Sequence, residues 1–128
     1  MKNRDIYKAA LNLLSQSADE GENPDFEERA PYLLASFCSE AFETDRILRS
    51  VLGLTPIGSF DGVWLPLDGD FPLSSKLAPI GAAYLAAMLV IDEDPELSDK
   101  LYGHYCDGIS RIRSEIPCIL ESIKNKYL

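Results

Sequence analysis

A cysteine can act as a nucleophile with a histidine as its base, and the two can also ligate one metal ion. His104 and Cys106 are the candidates for such a pair. His104 is the only histidine of the chain. On a helix, residues two positions apart point about 200° from each other. These two side chains therefore cannot act on one atom or one metal ion. We interpret His104 as a surface or partly packed histidine.

Three aspartates in a glycine-rich stretch, Asp61, Asp68 and Asp70, form a second candidate site, because carboxylates bind hard cations. Their spacing is not that of a calcium-binding loop, which needs ligands at alternate positions and a distant glutamate. Asp61 precedes Gly62, and Gly69 lies between the other two. Aspartates beside glycines are typical of turns, and we interpret them in that way.

The chain also lacks the short motifs that mark common catalytic sites. It contains no phosphate-binding glycine loop, no Gly-x-Ser-x-Gly, no Cys-x-x-Cys and no His-Glu-x-x-His. We therefore predict a protein that is not an enzyme and that binds no cofactor or metal. One alternative stays open, a small enzyme with a carboxylate site that its spacing does not mark.

Length and charge restrict the class of protein further. With 128 residues the chain fits one domain, residues 1–128. The net charge of −9 argues against recognition of nucleic acid, which needs a basic surface. Three cysteines, Cys38, Cys106 and Cys118, cannot all pair within one chain, and no secretory leader opens the sequence. We therefore expect a cytoplasmic protein with reduced thiols.

The elements that would position any site are organised around the stretch from Leu77 to Ile91. It runs 15 residues without a charge, too short for the roughly 20 apolar residues of a membrane span. A helix that is apolar on all sides is a buried one. We therefore predict a central apolar helix at about 75–91, with Ser74 or Ser75 as its N-cap, and no contact with a membrane.

Two helices are predicted before it. The first covers Arg4 to Ser17 with Asn3 as N-cap, and the second begins near Phe26 with Asp25 as N-cap. Pro31 lies inside the second helix, so we expect a kink or a short break there.

The second helix is predicted to end at Gly53. Glycine at this position favours a Schellman motif, in which Leu54 would pack back on Leu48. An ordered loop of about 55–76 follows. It is rich in glycine and proline, which exclude a regular helix, but it is too apolar for a disordered linker.

The loop's aromatic residues are candidate interaction residues: Phe60, Trp64 and Phe71. Exposed aromatic side chains suit contact with another protein. We also expect Trp64 and its apolar neighbours to anchor the loop on the helices, with a short strand or hairpin as an option at Gly62–Leu65.

A long C-terminal helix is predicted at about 95–127. Asp94 before Pro95 is a strong start signal, and Pro117 predicts a kink near Arg113, or two helices sharing an axis. At 1.5 Å per residue such a helix reaches about 50 Å, longer than the core of a domain of this size. We therefore expect its last apolar side chains to meet another subunit: Ile119, Ile123 and Tyr127.

The segment from Phe71 to Pro117, FPLSSKLAPIGAAYLAAMLVIDEDPELSDKLYGHYCDGISRIRSEIP, carries a resemblance to a known family. It resembles the second helical hairpin of bacteriophage and prophage head–tail adaptor (connector) proteins. The likeness lies in a proline-entered, alanine-rich helix, a short polar turn, and a longer helix with Leu97 and Tyr105. The resemblance implies a helical subunit of a ring beneath the portal, without catalytic residues, located in the virion. The aromatic loop has no counterpart in it.

Together these patterns predict an all-α fold, a four- to five-helix bundle. The predicted function is a non-enzymatic protein–protein interaction or structural module. Its partners would be other protein subunits, either copies of this chain or a different protein. A phage head–tail adaptor subunit is the first alternative.

Overall fold

Four α-helices make up the part of the chain that the computed structural model describes, namely the backbone of residues 1–15 and 23–127 and the side chains up to Glu115. They are α1 (Asn3–Leu13), α2 (Pro24–Val51), α3 (Ala78–Leu89) and α4 (Pro95–Tyr127), with one 3-10 turn at Ser75–Leu77. These described residues form no β-strand, only an isolated bridge between Lys2 and Asp70. The predicted all-α bundle is confirmed.

α3 is the central helix, and it packs against α1, α2 and α4. Gly81 allows α3 to pack closely on α2, because a Cβ atom there would lie 2.8 Å from Cε2 of Phe37. The guanidinium of Arg29 on α2 donates to the carbonyl oxygens of Met88 and Leu89, at 3.1 and 3.3 Å. These bonds satisfy carbonyls at the end of α3 that have no partner within the helix. The prediction of a buried apolar helix at this place is confirmed.

α4 runs antiparallel to α3. Ser98 Oγ donates to the Ala87 carbonyl at 2.8 Å, the rings of Tyr105 and Tyr84 are in contact, and Gly108 faces Ile80. The contacting positions descend along α3 as they ascend along α4, as expected for antiparallel helices. The start signal is also confirmed, because Leu97 N donates to Asp94 Oδ1 at 3.2 Å. The backbone is helical without a break from Pro95 to Tyr127.

The ends of α1 differ from the prediction. Asn3 is the first residue of the helix rather than its cap. The helix ends at Leu13, whereas the predicted end, Ser17, lies outside the described residues. The reason is tertiary: the N–H groups of Asn3 and Arg4 donate to carbonyls of the long loop, at 2.9 and 2.8 Å. The loop therefore supplies what an N-cap side chain would supply.

α2 begins at Pro24, after Asn23, two residues before the predicted start with Asp25 as cap. The helix is continuous through Pro31, so the predicted break is wrong. At its end the Schellman motif is confirmed, with Leu54 N donating to Arg49 O at 2.8 Å and Gly53 at a φ of 73°. Leu54, which was expected to pack back on Leu48, is 54% exposed.

The long loop (residues 52–74) is held by aliphatic residues and Phe71 rather than by Trp64. Leu67, Phe71 and Leu73 are buried in the core, whereas Trp64 is 50% exposed. The prediction that Trp64 and its apolar neighbours anchor the loop is therefore wrong for Trp64, whereas other apolar residues of the loop do reach the core. Residues 62–65 form no strand or hairpin either.

The loop returns to the helices at Ser74. Its backbone N–H donates to the buried carboxylate of Asp45 at 2.8 Å, and Arg49 Nε donates to the same carboxylate at 2.9 Å. Neither Ser74 nor Ser75 makes the predicted side-chain cap: Ser74 stands before the 3-10 turn without a capping bond, and Leu77 is at the N-cap position of α3. The 3-10 turn and Pro79 lead into α3 instead.

Candidate functional site

An open groove between α2 and the long loop is a candidate site among the described residues. Its volume is about 490 Å³. Three elements line it: α2, residues 62–63 of the loop, and α3. We call it the tyrosine groove, and its lining residues are Tyr32, Ser36, Ser39, Glu40, Gly62, Val63 and Tyr84.

The α2 wall of the groove follows from helical spacing. Ser36, Ser39 and Glu40 follow Tyr32 by four, seven and eight positions. All four residues therefore share one face of the helix. This face is polar, and all four of these residues are exposed. α2 packs on the core with its other side, through buried residues such as Leu34 and Phe37.

The loop wall is fixed to α2 by one backbone hydrogen bond. Leu65 N donates to the carbonyl oxygen of Pro31 at 3.1 Å, directly before Tyr32. On the other side of Gly62, the ring of Phe60 lies close: a Cβ atom on Gly62 would be 3.6 Å from Cζ of Phe60. Phe60 is half-buried and packs against the hydrophobic core.

A hydrogen bond at the end of the groove orients its only charged lining residue. Tyr105 Oη on α4 donates to Glu40 Oε2 at 2.9 Å. Burial, and then this hydrogen bond, raise the pKa of Tyr105 well above its ordinary value. The hydroxyl therefore stays protonated and remains a donor to the carboxylate. Burial, and next the negative charge of Glu40, also raise the pKa of Tyr84.

Packed aromatic rings connect the groove with the core. Tyr84 contacts Tyr105 edge to face with ring centres 5.0 Å apart, and Phe37 lies against both rings at 5.7 and 6.0 Å. Phe71 stacks on Phe37 from the loop at 6.5 Å. Ring pairs of this kind stabilise a fold beyond their buried area, so Tyr84 provides a rigid floor.

The rim of the groove exposes large side chains. Tyr32 is 55% exposed and Val63 is 79% exposed. Trp64, which follows Val63 in the loop, is 50% exposed. Single exposed apolar residues are common on protein surfaces, but two such side chains in the lining of one concave site, Tyr32 and Val63, indicate a binding surface.

A second, smaller depression lies between α1 and the start of α3, with a volume of about 260 Å³. Its walls are almost entirely apolar and include Met1, Ile6 and Pro79. Asp5 and Ser75 are its polar lining residues within the described part of the chain.

The residues first considered for chemistry do not assemble into a site. His104 and Cys106 are exposed on α4. Asp68 and Asp70 pair with Arg4 and Lys2, at 3.0 and 2.9 Å. No three histidine, cysteine or acidic side chains within the described part of the chain are placed to hold a metal ion.

Comparison with known proteins adds no family. No protein-family model, curated protein or solved structure gives a match to this chain. Among the residues that the structure describes, no helix has the length and apolar character needed to cross a membrane.

The candidate interaction residues fall in three different places. Trp64 is exposed in the loop directly after Val63, Phe60 is half-buried against the core, and Phe71 lies in the core, where no partner can reach it. The side chains of the other three are outside the described part of the chain: Ile119, Ile123 and Tyr127.

Sequence reasoning missed the residues that line the groove. Tyr32, Ser36 and Glu40 carry one usable signal, a polar face of α2 that contains a tyrosine. Nothing in the sequence near Tyr84 distinguishes it from the core residues around it. Its position at the floor depends on where α2 and the loop come together.

Proposed function

We propose that this protein is a non-enzymatic protein–protein interaction module that binds its partner through the tyrosine groove. The single observation that carries the proposal is the exposure of Tyr32 and Val63 in the lining of a concave site. Interfaces are enriched in tyrosine and tryptophan, because these side chains bury a large area with few rotatable bonds.

The composition of the groove supports binding rather than catalysis. Serine, glycine and tyrosine dominate the lining, and this mixture is typical of surfaces that recognise proteins. Glu40 is the only carboxylate among the lining residues, and no histidine, cysteine or lysine accompanies it. General acid–base chemistry usually needs a second titratable group within hydrogen-bond reach of the substrate.

Site-specific photo-crosslinking tests the proposal. A photoreactive phenylalanine replaces Val63 in one variant and Leu13 in another, and both are produced in cells. Leu13 is a matched control, because it is an exposed apolar residue on α1 and does not line the groove. We expect a protein adduct of defined mass at Val63 and none at Leu13. The proposal is wrong if Val63 gives no adduct, or the same adducts as Leu13.

Binding with purified components completes the test. Once the crosslinked protein has been identified, Tyr32→Ala should weaken its affinity at least about tenfold, as for a central interface residue. Leu13→Ala should leave the affinity unchanged.

A second candidate is a subunit of a phage head–tail adaptor. The segment with the adaptor resemblance forms the antiparallel pair of α3 and α4, and α4 extends for 33 residues. A helix that outruns its own core suits contact between subunits. Portal, capsid and terminase genes beside the gene for this chain, and the protein itself in purified virions, would support this candidate. A location in a metabolic operon would contradict it.

A location in the cytoplasm, or in the virion for the adaptor, belongs to these proposals. In both, the partner is another protein and no nucleic acid sequence is recognised.

A further inference from the structure

We propose that the tyrosine groove receives the guanidinium group of an arginine side chain from the partner protein. This inference rests on the proposed function and specifies the chemistry of the partner. It follows from the placement of Glu40, Tyr32, Tyr84 and the two serines around one concave site.

Glu40 provides the charge. Its Oε2 atom accepts a hydrogen bond from Tyr105, and neither oxygen is in an ion pair within the described part of the chain. An ionised carboxylate offers about four acceptor positions. Most of these positions can therefore accept hydrogen bonds from a ligand. The bond from Tyr105 holds the carboxylate in one orientation, which lowers the entropy that a ligand must overcome.

Two tyrosine rings lie in the groove lining, the exposed ring of Tyr32 and the largely buried ring of Tyr84. Tyr32 forms part of one wall and Tyr84 the floor of the same groove. Aromatic faces attract cations, and the planar guanidinium stacks on them better than the compact ammonium of lysine. A carboxylate beside aromatic rings therefore favours arginine over lysine, and it disfavours any anionic group.

The serines complete the set of acceptors. A guanidinium has five N–H donors, and buried donors need partners. The hydroxyl oxygens of Ser36 and Ser39 lie on the same helix face as Glu40, four and one positions before it. Together with the free carboxylate positions they can accept most of these donors.

Charge complementarity points in the same direction. Among the described residues, the lining contains one acidic residue and no basic residue, and the whole chain carries a net charge of −9. Arg113 lies near the next turn of α2, where its Nε donates to Thr44 at 3.0 Å, and it does not line the groove. The negative electrostatic potential of these charges attracts a basic partner before contact.

The test uses three capped amino acids as probes: acetyl-arginine methylamide, the lysine analogue, and the neutral citrulline analogue. Each is titrated into the full-length ¹⁵N-labelled protein, and amide chemical shifts are recorded. We expect saturable shifts with arginine at Ser36, Ser39, Gly62 and Val63, weaker binding with lysine, and none with citrulline. Equal or tighter binding of lysine, or no binding of arginine, would overturn the inference.

Two matched variants assign the effect to Glu40. Glu40→Gln removes the charge but keeps an oxygen that can accept from Tyr105, so the fold is maintained. Glu28→Gln makes the same change at an exposed position of the same helix that does not line the groove. We expect Glu40→Gln to weaken arginine binding about tenfold or more, and Glu28→Gln to change it less than about twofold. Equal effects in both variants would contradict a specific contact.

The two proposals fail in distinguishable ways. If arginine does not bind but Val63 crosslinks to a protein, the interaction function stands and the arginine inference is wrong. If arginine binds and Val63 gives no adduct, the proposed function fails while the guanidinium site stands.

Discussion

Tyr105 on α4 and Glu40 on α2 are 65 positions apart in the sequence, and a hydrogen bond of 2.9 Å joins them. The bond connects the antiparallel pair of α3 and α4 to the wall of the tyrosine groove. It therefore has a structural and a functional consequence, because it fixes both a helix and a carboxylate.

Removal of the Tyr105 hydroxyl tests the structural consequence. Tyr105→Phe keeps the ring in contact with Tyr84 but deletes the donor to Glu40. We expect the free energy of unfolding to fall by about 1 kcal/mol, a usual value for a hydrogen bond that is partly exposed. Urea denaturation measures it. Tyr102→Phe is the control, because this exposed hydroxyl lacks a described partner, and a change of equal size there would contradict the assignment.

The same variant tests the functional consequence. Without the bond, Glu40 samples several rotamers and must be ordered again on binding. Because such ordering costs about 0.5 to 1.5 kcal/mol, acetyl-arginine methylamide should bind roughly two- to tenfold more weakly to Tyr105→Phe. Unchanged affinity would show that Tyr105 does not position the carboxylate.

Gly81 and Gly103 are predicted to respond oppositely to substitution by alanine. A Cβ atom at Gly81 would lie 2.8 Å from the Phe37 ring, whereas the space around Gly103 on α4 is open. Gly81→Ala should lower the free energy of unfolding by about 1 to 3 kcal/mol through overpacking. Gly103→Ala should raise it by up to about 1 kcal/mol, because alanine favours the helix. Thermal and urea unfolding of both variants decide this, and a stabilised Gly81→Ala would contradict the close approach of α2 and α3.

Phe71 and Trp64 are predicted to play opposite parts. Phe71 is 9% exposed and stacks on Phe37, so Phe71→Ala should cost about 3 kcal/mol or more of stability. Trp64 is half exposed, so Trp64→Ala should cost less than about 1 kcal/mol. Amide exchange across residues 58–71 should then change only in Phe71→Ala. A large loss of stability in Trp64→Ala would restore Trp64 as the anchor of the loop.

The stability of the fold is predicted to fall at alkaline pH. Burial raises the pKa of Cys38 to about 12, and burial with the Glu40 carboxylate raises the pKa values of Tyr84 and Tyr105. Above about pH 9 the unfolded chain releases these protons while the folded chain retains them. The free energy of unfolding therefore decreases with pH, by up to about 1.4 kcal/mol per pH unit for each group.

Urea denaturation at pH 8.0, 9.5 and 10.5 measures this slope. Cys38→Ala should be less stable at pH 8 because of the cavity, but its stability should depend less steeply on pH. If the slope of Cys38→Ala equals that of the unmodified protein, the thiol makes no contribution to it.

Local signals in the sequence determined the helices and several of their ends. The uncharged stretch from Leu77 to Ile91 predicts a buried helix because charges are excluded from a core, and α3 lies there. Asp94–Pro95 and Gly53 act within a few residues of themselves, through hydrogen bonds to neighbouring backbone groups. Such signals act locally and do not depend on how the rest of the chain packs.

The tertiary structure alone decided the groove and the inside of the loop. An irregular backbone has no period, so the sequence could not show that Phe71 points inward and Trp64 outward. Asn3 is a helix residue rather than a cap because the loop, more than 60 positions away, offers carbonyls to the first N–H groups. Tyr32, Val63 and Tyr84 come together only because α3 packs under α2 and the loop bonds to Pro31. Contacts between distant residues depend on the packing of whole elements, and the pattern within each element does not contain them.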